Sequence, residues 1–258
     1  MNVFLAVFKG AYRKNFAYRA STLFYYVGSV ISVLAQIALW SFLYRDDADS
    51  TNYMVAYVVV VRVLSCLHNR NIASDIEARV RSGDLAIDLI RPVKTSTVFW
   101  GEASGNIAAH FVLSGLPILL IFGYAFFKVS VRLGGVLLFI PAALLGSVLY
   151  SALYMIIGYI AFIVVMNWPY IRIANDTLRF LSGSVVPIAL FPPLLQKLSW
   201  FFPFRLLYAF PVDLLLGNIT GQDIATGFLL LSAWTLALIA ALRLVEAAVE
   251  KRLVIQGG

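Results

Sequence analysis

Charge is what this chain has least of. Only 13% of its 258 residues are Asp, Glu, Lys or Arg, while 61% are hydrophobic and the mean hydropathy is +0.87. A soluble domain carries about 25% charged residues. This chain has too few to cover its own surface in water, so a polytopic membrane protein is the class that fits. Cysteine is nearly absent: Cys66 stands alone, which rules out a disulfide framework or a cysteine-based metal site within one chain. Histidine is limited to His68 and His110, too few to build a metal centre. No G-x-x-x-x-G-K-[ST] run occurs, so the chain holds no P-loop. It also lacks a stretch polar enough to form a large soluble domain. Internal repeats are missing, which counts against the inverted-repeat transporters. Lys9, Arg13, Lys14 and Arg19 interrupt the first twenty residues, so no cleavable signal peptide is expected.

What is present is a series of long apolar runs. With about 20 residues needed to cross the hydrocarbon core, six spans are expected, near 21–44, 53–68, 101–127, 134–166, 174–188 and 223–245. Both termini then lie on one side. If that side is the cytoplasm, 15 of the 20 Lys and Arg residues fall inside and 5 outside. The positive-inside rule therefore sets the orientation, with both termini in. It also accounts for the net charge of +7, so no nucleic-acid partner is expected. Residues 1–20 place Phe4, Val7, Phe8, Ala11 and Asn15 at helical spacing, with Lys9 and Arg13 off that stripe. This pattern predicts an amphipathic helix at the membrane surface, in contact with lipid.

Two segments break the apolar pattern. Residues 69–94 form a charged island between the second and third spans. Asp75 and Arg79 are four apart and share a helix face. Ile72, Ile76 and Val80, and beyond them Leu85, Ile87, Leu89 and Ile90, supply an apolar side. Gly83 suits a helix C-terminus, Asp84 suits the cap of the next helix, and Pro92 bounds the segment. The second break precedes the last span. Five of the nine prolines, Pro187, Pro192, Pro193, Pro203 and Pro211, fall within 25 residues, interleaved with aromatic side chains. A continuous helix does not tolerate this density. Residues 189–217 are expected to be short helices that dip in from the outer face and return.

The third span carries Glu102, Asn106 and His110 at i, i+4 and i+8, on one face. Ionisable residues at membrane depth usually face a bundle interior or a cavity. The strip therefore reads either as the lining of a polar path or of an interface with a second chain, or as interfacial and core polar groups. Gly101, Gly105 and Ala109 beside it allow close helix approach. Arg172, Asp176 and Arg179 are spaced for ion pairing at the start of the fifth span. Ser29, Ser32 and Gln36 in the first are expected to bond between helices.

In sequence order, Arg81-Ser82-Gly83, Leu85, Leu89 and Pro92 before a new span resemble the first cytoplasmic loop of ABC-2-type transporter permeases. The order Ser182-Gly183, Pro187, Phe191-Pro192, Phe202-Pro203-Phe204 resembles the same family. The likeness extends over nearly the whole chain; Arg91-Pro92 departs from the family's common Thr-Pro. It implies an all-α, polytopic fold: one permease domain over 1–258, with six transmembrane helices, the N-terminal surface helix, a cytoplasmic coupling helix and the re-entrant element. It also implies the permease subunit of an ATP-binding cassette exporter in the cytoplasmic membrane. By this resemblance Asp75, Ile76, Arg79, Arg81, Ser82, Gly83, Asp84, Leu85, Leu89 and Pro92 couple to two copies of an ABC ATPase. ATP and Mg would sit on that partner and no cofactor on this chain, which is not itself an enzyme. A second permease chain, identical or paralogous, would complete the pathway. Pro187, Phe191, Pro192, Phe202, Pro203 and Phe204 would form an extracytoplasmic gate, and the aromatic walls favour hydrophobic or amphipathic cargo.

Two other classes stand beside this reading. A stand-alone ion-coupled transporter or channel would need charged residues near the midplane of several spans, and the first, fourth and sixth are almost free of them. A polytopic membrane enzyme using Glu102 and His110 would need more clustered polar groups at one depth than the chain offers.

Overall fold

The computed structural model describes residues 3–17, 19–69, 71–84, 94–129, 131–164, 166–219 and 221–256. Among them there is no strand. Helix α1 is Val3–Ala17, α2 Arg19–Leu43, α3 Ala48–Cys66 and α4 Ile72–Ser82. Helix α5, Thr95–His110, runs through a π-turn at Phe111–Gly115 into α6, Leu116–Phe122. Then come α7, Leu133–Tyr159; α8, Trp168–Leu181; α9, Pro193–Leu198; α10, Ala209–Leu216; and α11, Gln222–Gln256.

Among the described residues four helical stretches are long and apolar enough to cross a membrane: Tyr26–Leu43, Thr95–Phe126, Leu133–Phe162 and Gln222–Val249. A count of six would have to include α3 and α8. Helix α3 starts five residues earlier than the apolar run suggested, because Asp47 caps it by accepting from the backbone N–H groups of Asp49 and Ser50, both at 3.1 Å. The bond from the Ser50 hydroxyl, together with those from the two backbone N–H groups, holds the Asp47 carboxyl below its usual range. Helix α8 differs more from expectation. Its 14 residues rise only about 21 Å, short of the roughly 30 Å hydrocarbon core. It ends at Leu181 rather than 188, since the chain turns at Gly183 with φ +83°, a conformation that glycine adopts without a Cβ clash. The apolar residues from Val185 to Ile188 continue the composition of a span but not its backbone.

The core is built around α7. Leu149, Tyr150, Tyr154 and Met155 are fully buried there, with Leu206, Leu207 and Phe210 from the segment before and within α10. His68, just past α3, stacks on the ring of Tyr150 at 4.6 Å and meets Tyr208 edge-on at 4.7 Å. A histidine between two tyrosines closes the packing where α3, α7 and the chain entering α10 converge.

Between α2 and α3 the polar contacts fall differently from expectation. Gln36 bonds back to Ser32 within its own helix, while Ser29 reaches across to Arg62 on α3 and Ser114 in the π-turn. Gln36 lies one helical turn beyond Ser32, so the local bond requires no neighbour.

Candidate functional site

The described part of the charged island is a single short helix, α4, with a defined end. Gly83 takes the left-handed conformation, φ +79°, and its N–H bonds the Val80 carbonyl at 3.3 Å. Ser82 Oγ donates to the Asp84 carboxylate at 2.7 Å just beyond the turn. Leu85, Leu89 and Pro92 lie outside the described residues.

Helix α4 has a buried side and an open side. Ile72, Ala73 and Ile76 are buried. Ile76 meets Gly158 near the end of α7 so closely that a Cβ there would stand 2.9 Å from Ile76 Cβ. The apolar knob predicted at Ile76 is thus seated in this chain's own helix pair. A second tie joins α4 to the start of α8: Glu77 Oε1 accepts from the Asn167 backbone N–H at 3.3 Å, and Asn167 Nδ2 donates to the Ile157 carbonyl at 2.8 Å. Arg79 forms the third. Its guanidinium binds the Glu102 carboxylate on α5 and lies 5.3 Å from the centre of the Phe99 ring. Facing outward are Ser74, Asp75, Ala78, Arg81, Ser82, Gly83 and Asp84.

The Glu102–Asn106–His110 strip is therefore occupied from within. Glu102 belongs to Arg79 of α4, and Asn106 Oδ1 accepts from Asn15 Nδ2 of α1 at 2.8 Å. His110 sits half-buried at the last turn of α5, before the π-turn. Helix α1 lies along this side of α5. At Gly105 an added Cβ would fall 2.5 Å from the Phe8 carbonyl oxygen and 2.9 Å from Ala11 Cβ; at Gly101 it would fall 3.1 Å from Val7 Cβ. The two glycines thus bring the backbones of α1 and α5 into contact. A different side of α5, with Ser104, Ile107 and Ala108, lines a cavity.

The Pro-rich segment is broken as its composition predicts, into a 3-10 turn at Ile188–Leu190, α9, a second 3-10 turn at Arg205–Leu207, and α10. Its ends are pinned together: the Ala209 N–H bonds the Ser182 carbonyl at 3.1 Å, and Tyr57 Oη of α3 donates to the Gly183 carbonyl at 2.6 Å. Pro187 and Pro203 are buried, Phe191 and Phe204 half-buried, and Pro192 and Phe202 exposed. Phe202 and Phe204 stack at 6.1 Å.

An ion pair at the heart of this segment escaped the sequence reading. Arg205 and Asp213 meet at 3.7 Å with side chains only 12% and 17% exposed. The Arg205 guanidinium also lies 4.0 Å from the centre of the Trp200 ring and donates to Ser199 Oγ at 3.2 Å. Opposite charges eight residues apart within an apolar, proline-bounded stretch are the signal that points to such a pair. In the sequence Arg205 is one of the five cationic residues assigned to the outer side. Arg172 and Asp176, by contrast, pair at 3.8 Å on an exposed face.

The structure thus assembles two polar nodes. One joins α1, α4 and α5; the other ties the 3-10 turn at Arg205–Leu207 to α10 within the broken segment. A family model described as ABC-2 family transporter protein matches residues 31–257. No curated protein matches the chain.

Proposed function

This chain belongs to the ABC-2 transporter family, a multi-pass membrane component of ABC-type transport that associates with an ABC ATPase, and from that premise we propose that it is the permease subunit of an exporter. Two ATPase subunits, carrying ATP and Mg, dock on the open side of α4, and a second permease chain completes the pathway. Both termini lie in the cytoplasm, as the Lys and Arg distribution requires. The cargo is hydrophobic or amphipathic, in keeping with the aromatic residues of the broken segment.

The observation that carries this reading is how α4 is mounted. A helix that transmits force must be short, open on one side and rigidly tied on the other. Helix α4 meets all three conditions. It has 11 residues, and Arg81, Ser82, Gly83 and Asp84 are exposed at its C-terminal end. Ile76, Glu77 and Arg79 bind it to α7, the start of α8 and α5. A push on that end therefore reaches three membrane elements. The broken segment, closed by Arg205–Asp213 and Tyr57–Gly183, then serves as the extracytoplasmic gate.

Co-purification with the cognate ATPase tests the proposal, using Gly83→Pro. Proline locks φ near −65° and is incompatible with φ +79°, so the variant loses the turn at the end of α4. Wild-type ATPase binding and ATP-dependent transport in Gly83→Pro would overturn the assignment of α4 as the coupling element.

A further inference from the structure

Between α3, α5, α7 and α10 lies a cavity of about 500 Å³, within the size range of small-molecule sites. Val60, Ile107, Ala108, Phe139, Ala143 and Leu215 contribute to its wall. Two hydroxyls also reach it, and both protons are committed locally. Ser104 Oγ donates to the Trp100 carbonyl and Ser147 Oγ to the Leu144 carbonyl, each at 2.8 Å. Water is a poor occupant. The space would take about 16 molecules at roughly 30 Å³ each, and each needs about 2–4 polar partners that this wall does not supply. Leaving the space empty is unfavourable too, because the lining side chains would forfeit their dispersion contacts.

The cavity's position identifies what fills it. Ile140 and Leu144 line it and are 50% and 57% exposed. They continue the exposed apolar face of α7 through Leu137, 62% exposed. Since α7 crosses the bilayer, the medium against this face is hydrocarbon, and the cavity opens to it sideways. We propose that the cavity is a binding site for one acyl chain of a bilayer phospholipid, entering laterally past Ile140 and Leu144. The chain lies against α5, which Glu102 ties to Arg79 of α4, and against Leu215 of α10. This inference requires only that the protein be embedded in a membrane, so it stands apart from the transport reading.

Photolabelling tests it. The full-length chain is reconstituted in phosphatidylcholine vesicles doped with a phosphatidylcholine carrying a diazirine midway along one acyl chain, then irradiated and digested. Labelling is expected to concentrate on segments 104–111 and 139–147, above the level on the exposed residues Leu229, Leu236 and Leu244 of α11. Ala108→Trp, which fills the cavity, should reduce the label there to the α11 level while retaining helicity and a single species in detergent. Ala143→Leu, a smaller filling change on the opposite wall, serves if the tryptophan variant does not fold. Label spread evenly over all lipid-facing helices, or label that a folded filling variant leaves unchanged, would refute the site. ATPase assays play no part, so failure here leaves the coupling proposal untouched.

Discussion

The seat of α4 on α7 can be tested with one methyl group. In Gly158→Ala the new Cβ would stand 2.9 Å from both Cβ and Cδ1 of Ile76 and 3.1 Å from Ala73 Cα. Rotating Ile76 moves Cδ1 but neither Cβ nor the Ala73 backbone. Helix α4 must therefore retreat by about 0.5 Å to reach the 3.4 Å of ordinary contact, and such overpacking costs about 1–3 kcal/mol. Replacing a helical glycine with alanine also returns at most about 0.8–1 kcal/mol of helix propensity, Gly158 being the penultimate residue of α7. The net expectation is a loss of about 0–2 kcal/mol, and a control within the same helix separates the two effects. In Gly146→Ala the added methyl meets nothing closer than the Leu206 carbonyl oxygen at 3.7 Å, so that variant should gain about 0.8–1 kcal/mol. Unfolding of both purified variants in detergent should place Gly158→Ala below Gly146→Ala by about 1–3 kcal/mol, the packing cost alone. Equal stability, or a more stable Gly158→Ala, would refute the close seating of α4. If the seat transmits force, ATP-dependent transport should also fall in Gly158→Ala and hold in Gly146→Ala.

Other contacts give independent tests. Arg79 and Glu102 are half-buried, at 26% and 29% exposure, so a double-mutant cycle with alanine should yield a coupling energy of about 1 kcal/mol; a value near zero would show that the pair does not join α4 to α5. Asp213→Ala strands the Arg205 guanidinium in the broken segment and should cost about 3 kcal/mol in detergent unfolding. Arg205→Met combined with Asp213→Leu should recover most of that loss, and failure to recover would argue against charge desolvation as the cause. Tyr57→Phe leaves the Gly183 carbonyl without the tyrosine proton and should lower stability by about 1–2 kcal/mol, with no change expected if the 2.6 Å bond is dispensable. Gly105→Ala drives a methyl toward the Phe8 carbonyl and should release α1 from α5, read as faster labelling of a cysteine introduced at Ala11; unchanged labelling would contradict the backbone contact.

Much of the fold was legible residue by residue. Gly83 ended α4 where a left-handed cap was expected, and the prolines from 187 to 211 broke the chain into short pieces as their missing N–H groups demand. Gly101 and Gly105 were recognisable as a stripe for close approach, though not as the seat of α1. Elsewhere tertiary structure decided. The fifth apolar run has the composition of a span to 188, yet its helix stops at Leu181, because hydropathy does not register a turn at Gly183. Asp75 and Arg79 share a face of one helix, while the contact that anchors α4 is from Arg79 to Glu102, 23 residues on.

By itself the sequence determined that this protein is helical, that it lives in a membrane, and that its backbone breaks at Gly83 and along the prolines from 187 to 211. These are consequences of composition, period and the φ limits of glycine and proline, all of which act locally. Only the tertiary structure decided which neighbour covers each face. It turned Glu102 and Asn106 toward α4 and α1, closed Arg205 onto Asp213, and opened the Ile107–Ala108 side of α5 onto a cavity. The physical reason is that lipid and protein interior are both apolar. A leucine facing hydrocarbon and a leucine facing another helix leave the same mark in a sequence, so the helices reveal their partners only once they are packed.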